Sequence, residues 1–399
     1  MIQPSPPGLA TSKPVLIAIL AVAAVLALVS AVLFQAPGLL GRDKVLTDFD
    51  AFYIAGTMAA HGEANETYQA AEMLAAQQAI TNDQLLFPWT YPPPYMLFVA
   101  GLAQLPIGLA YMLFVTGSLL FYLAVLRRIA GDHLPGTLIA ALPAVLLTVR
   151  TGQNGFLTAG LIGAFLLAFP AGRAGAGLPL GLMCIKPHLA AGIALLALIG
   201  RRWSAMAAAA GVVIAAGAAA TLAFSPGVWG AFLSGVREAG DFLAAGYYQL
   251  FRMSSVYACV RSLGAPASLA IVLHGLGALI AIGLFLRLWH GGGEPRVVAA
   301  AACAMSLFVS PYNYDYDLTI LGLAIAFVLP AVIARARSSE LTGLLLLSWF
   351  TTGYGFAVAS LGESRPGSLQ PAEWPSLTAP ALVLLVGAAA AILKRPATT

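Results

Sequence analysis

Residues 175–200 read GAGLPLGLMCIKPHLAAGIALLALIG, an apolar run broken at its centre by Lys186-Pro187-His188. Arg173 precedes the run and Arg201-Arg202 follow it. A single membrane span would put these arginines on opposite sides of the bilayer, against the tendency of Lys and Arg in short loops to collect on the cytoplasmic side. Two half-helices meeting at Lys186-Pro187 would instead enter and leave by one face, and the other short basic loops can then share that face. Proline removes a helical hydrogen bond and turns the residue before it away from helical geometry, so the break belongs there. Non-helical backbone at membrane depth is tolerated only where it is buried in protein or lines a watery cavity. The stretch therefore predicts a broken re-entrant hairpin over 175–200 with a cavity at its tip.

The same apolar character runs through the chain. Of its 399 residues 60% are hydrophobic and 9% charged, whereas an ordinary soluble domain carries about 25% charged residues. Apolar runs near 15–34, 94–126, 134–149, 156–170, 204–224, 266–286, 297–310, 318–334, 341–361 and 377–393 predict an all-α polytopic membrane helical bundle. It would hold about ten full spans plus the hairpin, as a single membrane domain over 1–399. The first run is too long for the apolar core of a cleaved signal peptide and is expected to stay as a membrane helix. The net charge of +4 comes without any Lys/Arg run longer than a pair, which argues against nucleic acid as a partner. Cys184, Cys259 and Cys303 are widely spaced in apolar or amphipathic stretches and read as packing residues, not as a disulfide framework or metal site.

In this scheme residues 41–93 and 225–265 form two long outer loops, and loops of such length are usually functional. Helices lying along the outer membrane surface are expected in the first. Thr47-Asp48-Phe49-Asp50 reads as a helix start with Thr47 at the cap and Asp50 closing an acidic capping box, while Gly62 is a plausible stop. Two residues apart on a helix, Asp48 and Asp50 point to nearly opposite faces, so only one can face a given cavity; either both carboxylates merely favour the helix N-terminus, or one of them does chemistry. Asp48, free of the capping role, is the candidate general base.

Four further stretches carry polar chemistry next to lipid. Phe87 to Pro94 ends in three prolines and is either a stiff aromatic anchor or a substrate contact through Tyr91. Arg150-Thr151-Gly152-Gln153-Asn154-Gly155 is either a tight turn or a set of donors and acceptors for sugar hydroxyls, with Arg150 offering a fork for phosphate. Lys186 sits deep in a span, which costs about 2.5–3.5 kcal/mol and marks a functional residue by default; the rival explanation is a lysine that snorkels to the interface. With His188 it would form a cationic pocket for an anionic headgroup, and Lys186→Met is expected to leave the substrate-free protein at least as stable. Ser310 to Asp317 places two aspartates and three tyrosines in one turn, either an interfacial belt or part of a hydrated cavity. Metal binding by Asp315 and Asp317 stays open, although no histidine joins them at ligand spacing. Neither a Walker loop nor a dinucleotide glycine fingerprint is present, so no nucleotide cofactor is expected.

Taken in order, Asp48-Phe49-x-x-Phe52-Tyr53, Tyr91-Pro92-Pro93-Pro94, Gly152-Gln153-Asn154-Gly155, Lys186-Pro187-His188-Leu189 with Arg201-Arg202-Trp203, and the Pro311-Tyr312 to Tyr316-Asp317 turn resemble glycosyltransferase family 87. That family is a branch of the GT-C membrane glycosyltransferases. The resemblance implies an inverting, metal-independent transfer of a hexose, often mannose, from a polyprenyl-phosphate donor to a lipid or glycan acceptor. It places the reaction at the outer face of the plasma membrane, with Asp48 at the position of the family's catalytic base and no cofactor. On this reading Lys186, then His188 and Arg150, stabilise the departing phosphate, and Gln153, Asn154 and Asn313 hold sugar or phosphate oxygens. Asp50, Tyr53, Tyr91 and Asp315 complete the expected substrate contacts. The rival reading is a non-catalytic lipid-linked sugar transporter or flippase; such proteins are commonly built from internal repeats, and none is visible here.

Overall fold

The computed structural model describes residues 8–81, 86–361 and 374–396; residues 82–85 of the first outer loop lie outside the description. The described residues are helical with no strand. The apolar helix α1 (Lys13–Gln35) leads through a short turn to α2 (Asp48–Ala60) and α3 (Ala70–Thr81). Two helices, one short and one long, follow where the hydropathy suggested a single span over 94–126: α4 (Pro93–Leu102) and α5 (Ile107–Ala130). Gln104 and Pro106 interrupt the apolar run there, and Pro106 stands at the N-cap of α5, where a missing N–H costs nothing. α4, ten residues long, packs against α2 instead of continuing α5. The expected span over 134–149 is likewise divided, at Ala141, into α6 (Leu134–Ala140) and α7 (Leu142–Thr151).

The chain continues through α8 (Gly155–Ala168) to the hairpin, α9 (Gly177–Leu182) and α10 (Ala191–Ile199). Lys186 lies between two short 3-10 turns with φ −149° and ψ 67°, outside helical geometry. The two ends of the segment meet: Ser204 Oγ donates to the Gly172 carbonyl at 3.5 Å, and the Arg202 guanidinium lies 4.7 Å from the centre of the Phe169 ring. The tip reaches the opposite end of α8, where Lys186 Nζ approaches Asn154 Oδ1 at 3.5 Å. Since α8 has 14 residues, tip and ends are separated by about 21 Å.

The remaining helices are α11 (Trp203–Phe224), α12 (Gly227–Ala245), α13 (Val256–Ser262), α14 (Ala267–His290), α15 (Pro295–Val309), α16 (Thr319–Ile333), α17 (Ser338–Leu361) and α18 (Thr378–Leu393). α16 is the central pillar, packed on α5, α6, α8 and α15. Six stretches are long and apolar enough to cross a bilayer: Lys13–Gln35, Ile107–Ala140, Trp203–Phe224, Ala267–His290, Asp315–Ile333 and Ser338–Leu361. The other apolar helices have 10–17 residues, shorter than the ~20 a full span needs. The chain is an all-α polytopic membrane bundle, and the polar segments that interrupt its helices gather at one end.

Candidate active site

Asp48 opens α2, and the local sequence dictates how. The Thr47 N–H donates to Asp50 Oδ2 at 2.8 Å, closing the capping box expected from the Thr-x-x-Asp spacing. Asp50 Oδ1 accepts from Lys44 Nζ at 2.5 Å. Burial raises the Asp50 pKa above the usual carboxylate range, and the Lys44 ammonium opposes that rise. Phe49 and Phe52 anchor the other side of the helix in an aromatic cluster with Phe34, Tyr91, Tyr95, Tyr111 and Phe114. Gly56 lets α2 lie against α4, since a Cβ at that position would come within 2.3 Å of the Val99 carbonyl oxygen. Asp48 is thereby fixed facing away from Lys44.

Asp48 faces a cavity of about 410 Å³ walled by α2, the strap of residues 86–92, the hairpin tip, α12, and the aromatic residues that follow α12 and those of the 312–316 turn. Among the described residues it is the one carboxylate in that lining. Two cations share the wall, and each is backed by its own buried aspartate outside the cavity. Lys186 Nζ donates to Asp317 Oδ1 at 2.6 Å, and Arg252 grips Asp315 with Nε and Nη2 at 3.0 and 3.1 Å. Arg252 Nη2 also lies 3.8 Å from Asp48 Oδ2. The Tyr316 ring sits beneath both cations, 4.8 Å from Lys186 Nζ and 5.9 Å from the Arg252 guanidinium carbon. Lys186 and Arg252 are thus each paired with a carboxylate at a buried site, and the N–H groups that the aspartates do not take can be offered to an anion.

Other expected residues fall into two groups. Tyr91, Gln153, Lys186 and His188 line the cavity together with Asp48, and His188 Nε2 is buried with no hydrogen-bond partner among the described residues. Asp50, Tyr53, Arg150, Asn154, Asn313 and Asp315 do not line it. Asp50 holds Lys44 and the cap, Tyr53 donates to the Leu105 carbonyl, Arg150 closes α7, and Asn313 Nδ2 donates to Ser254 Oγ and the Leu307 carbonyl. Asn154 and Asp315 stand one shell back, behind Lys186 and Arg252. Sequence reasoning missed Arg252 and the pairing role of Asp317. The available signal was a cation in the second outer loop set among Leu250, Phe251 and Met253 instead of solvating residues. Among the described residues no group of three or more His, Cys, Asp or Glu is close enough to hold a metal ion.

Within this helical membrane bundle, one cavity among the described residues is therefore lined by a carboxylate, Asp48, and by two cations that each hold a buried aspartate. The model of glycosyltransferase family 87 matches residues 89–311, more than half of the chain, and the protein belongs to that family. It is a multi-pass membrane glycosyltransferase. No curated protein and no solved structure matches it. Tyr91, Gln153, Lys186 and Arg252 fall inside the matched region, whereas Asp48 lies before it and is tied to it through Gln153 and Arg252.

Proposed function

We propose that the protein transfers a hexose, mannose-like, with inversion from a polyprenyl-phosphate donor to a lipid or glycan acceptor at the outer face of the plasma membrane. The observation that carries this reading is Asp48, the one carboxylate lining the cavity among the described residues, in the same wall as the paired cations Lys186 and Arg252. Asp48 takes the proton of the acceptor hydroxyl as that oxygen bonds to the anomeric carbon. The bond from that carbon to the phosphate oxygen breaks on the opposite side, and the lipid phosphate leaves with the electron pair. Its growing charge meets Lys186, Arg252 and the ring N–H of a suitably oriented His188, preorganised donors held by the fold. Tyr91, Tyr314 and Tyr316 offer ring faces to the sugar, and Phe87, Phe232 and Val236 offer apolar surface to the lipid.

Paired intramembrane charges would also suit a transporter, whereas a carboxylate held in the cavity wall beside them supplies the base that transfer needs. Purified protein given a synthetic polyprenyl-phosphate hexose and candidate acceptors should form a new glycosidic product. Movement of intact donor across a vesicle membrane, with no product and no released lipid phosphate, would favour the flippase instead.

A further inference from the structure

Resting on the reading of Asp48 as the base, we infer that Gln153 is a positioning residue that holds this carboxylate in place, not a ligand for sugar. The two ends of its amide have different chemistry. One end accepts from the Asn154 backbone N–H at 3.1 Å and from the Tyr91 hydroxyl at 3.2 Å. A backbone N–H can only donate, so this end is the oxygen and the amide has one orientation. Nε2 therefore faces Asp48 and donates to Oδ1 at 3.0 Å. Gln153 is 5% exposed, both acceptor positions of its oxygen are taken, and one amide hydrogen is committed.

The consequence for Asp48 is a fixed division of labour between its oxygens. Oδ1 is occupied by Gln153, while among the described residues Oδ2 has only Arg252 at 3.8 Å, too far for a direct hydrogen bond. Oδ2 is the oxygen left for an acceptor hydroxyl. Three separate segments build the arrangement: α2 supplies Asp48, the turn between α7 and α8 supplies Gln153, and the strap before α4 supplies Tyr91. Gly152 makes the turn with φ +68°, a left-handed conformation, and a Cβ there would also lie 2.6 Å from the Phe49 Cβ. The glycine thus brings Gln153 directly against the start of α2.

The test compares Gln153→Met, which keeps length and bulk without the amide, with Tyr91→Phe, Gln153→Glu and Asp48→Asn, all in purified full-length protein. With polyprenyl-phosphate hexose, Gln153→Met should lower kcat by about ten- to a hundredfold, the scale of a misplaced catalytic group. Its donor Kd should stay within about twofold, because no contact to the donor is lost. Gln153→Glu, which sets a carboxylate against Asp48, should fall further, and Tyr91→Phe should fall less, with donor Kd again unchanged. A sugar ligand gives the opposite split, a raised KM with kcat kept, and that result overturns the inference. If Gln153→Met does not fold, Tyr91→Phe decides by the same split. Normal transfer by Asp48→Asn would remove the base assignment and this inference with it. An inactive Asp48→Asn beside a fully active Gln153→Met would keep the base and overturn the positioning role alone.

Discussion

Lys186 shows how far a single residue can be read in advance. Its cost at membrane depth is legible in the sequence, and so is its association with function. Its partner is not, because Asp317 is 131 positions away and only the hairpin brings the two to 2.6 Å. That partner reverses one expectation. Lys186→Met does not discard an isolated cation; it strands Asp317, whose side chain is fully buried, and should destabilise the substrate-free protein by about 3–5 kcal/mol. Replacing both residues, Lys186→Met with Asp317→Leu, should recover most of that loss, since a buried pair exchanged for apolar groups is often neutral. Thermal unfolding in detergent checks both statements; equal stability of Lys186→Met and wild type would contradict the pairing. Asp50 is the converse case. Its capping role follows from spacing alone, whereas Lys44 as its partner does not. Asp50→Asn keeps an acceptor for the cap but loses the ion pair, so it should cost about 1.5–3 kcal/mol of stability and leave the turnover of folded molecules nearly unchanged.

Among the elements, continuous apolar helices are the legible ones: α1, α8, α11, α14 and α16 lie within a few residues of their expected bounds. Hydropathy averages over the breaks at Pro106 and Ala141, so two expected spans appear as pairs of shorter helices with different packing partners. The close approach of α2 and α4 is likewise invisible to periodicity, because it depends on the absent side chain of Gly56. Gly56→Ala must push α2 away from the Val99 carbonyl and with it displace Asp48. Overpacking of this kind costs about 1–3 kcal/mol, and transfer should fall by more than the folded fraction does. Gly101→Ala, at a position with open space around the added carbon, is the matched control. Equal transfer by the two variants would show that the α2–α4 contact does not set the site.

At the scale of the molecule, a cavity formed by residues of the 41–93 segment, the hairpin tip, the 225–265 segment and the 312–316 turn unites segments spread over most of the chain. The ordered motifs announce most of these segments. Arg252 was obscured because its loop carries no motif, and its role exists only once Asp315 and Asp48 are beside it. The membrane orientation proposed for this assembly is open to cysteine labelling on a background lacking Cys184, Cys259 and Cys303. Probes at Glu63 should react from outside, and probes at Asp132, Ala174, Trp203 and Glu294 from inside; opposite labelling of Ala174 and Trp203 would contradict the hairpin's placement in the bilayer. The most direct test of the whole account is the transfer rate and donor affinity of Asp48→Asn, an isosteric change that keeps the Gln153 contact within reach. The account predicts a loss of about 10²- to 10⁴-fold in transfer, the usual worth of a general base, with donor binding and unfolding temperature preserved. Transfer within about threefold of wild type would contradict it, since a true general base cannot be replaced by an amide at so small a loss.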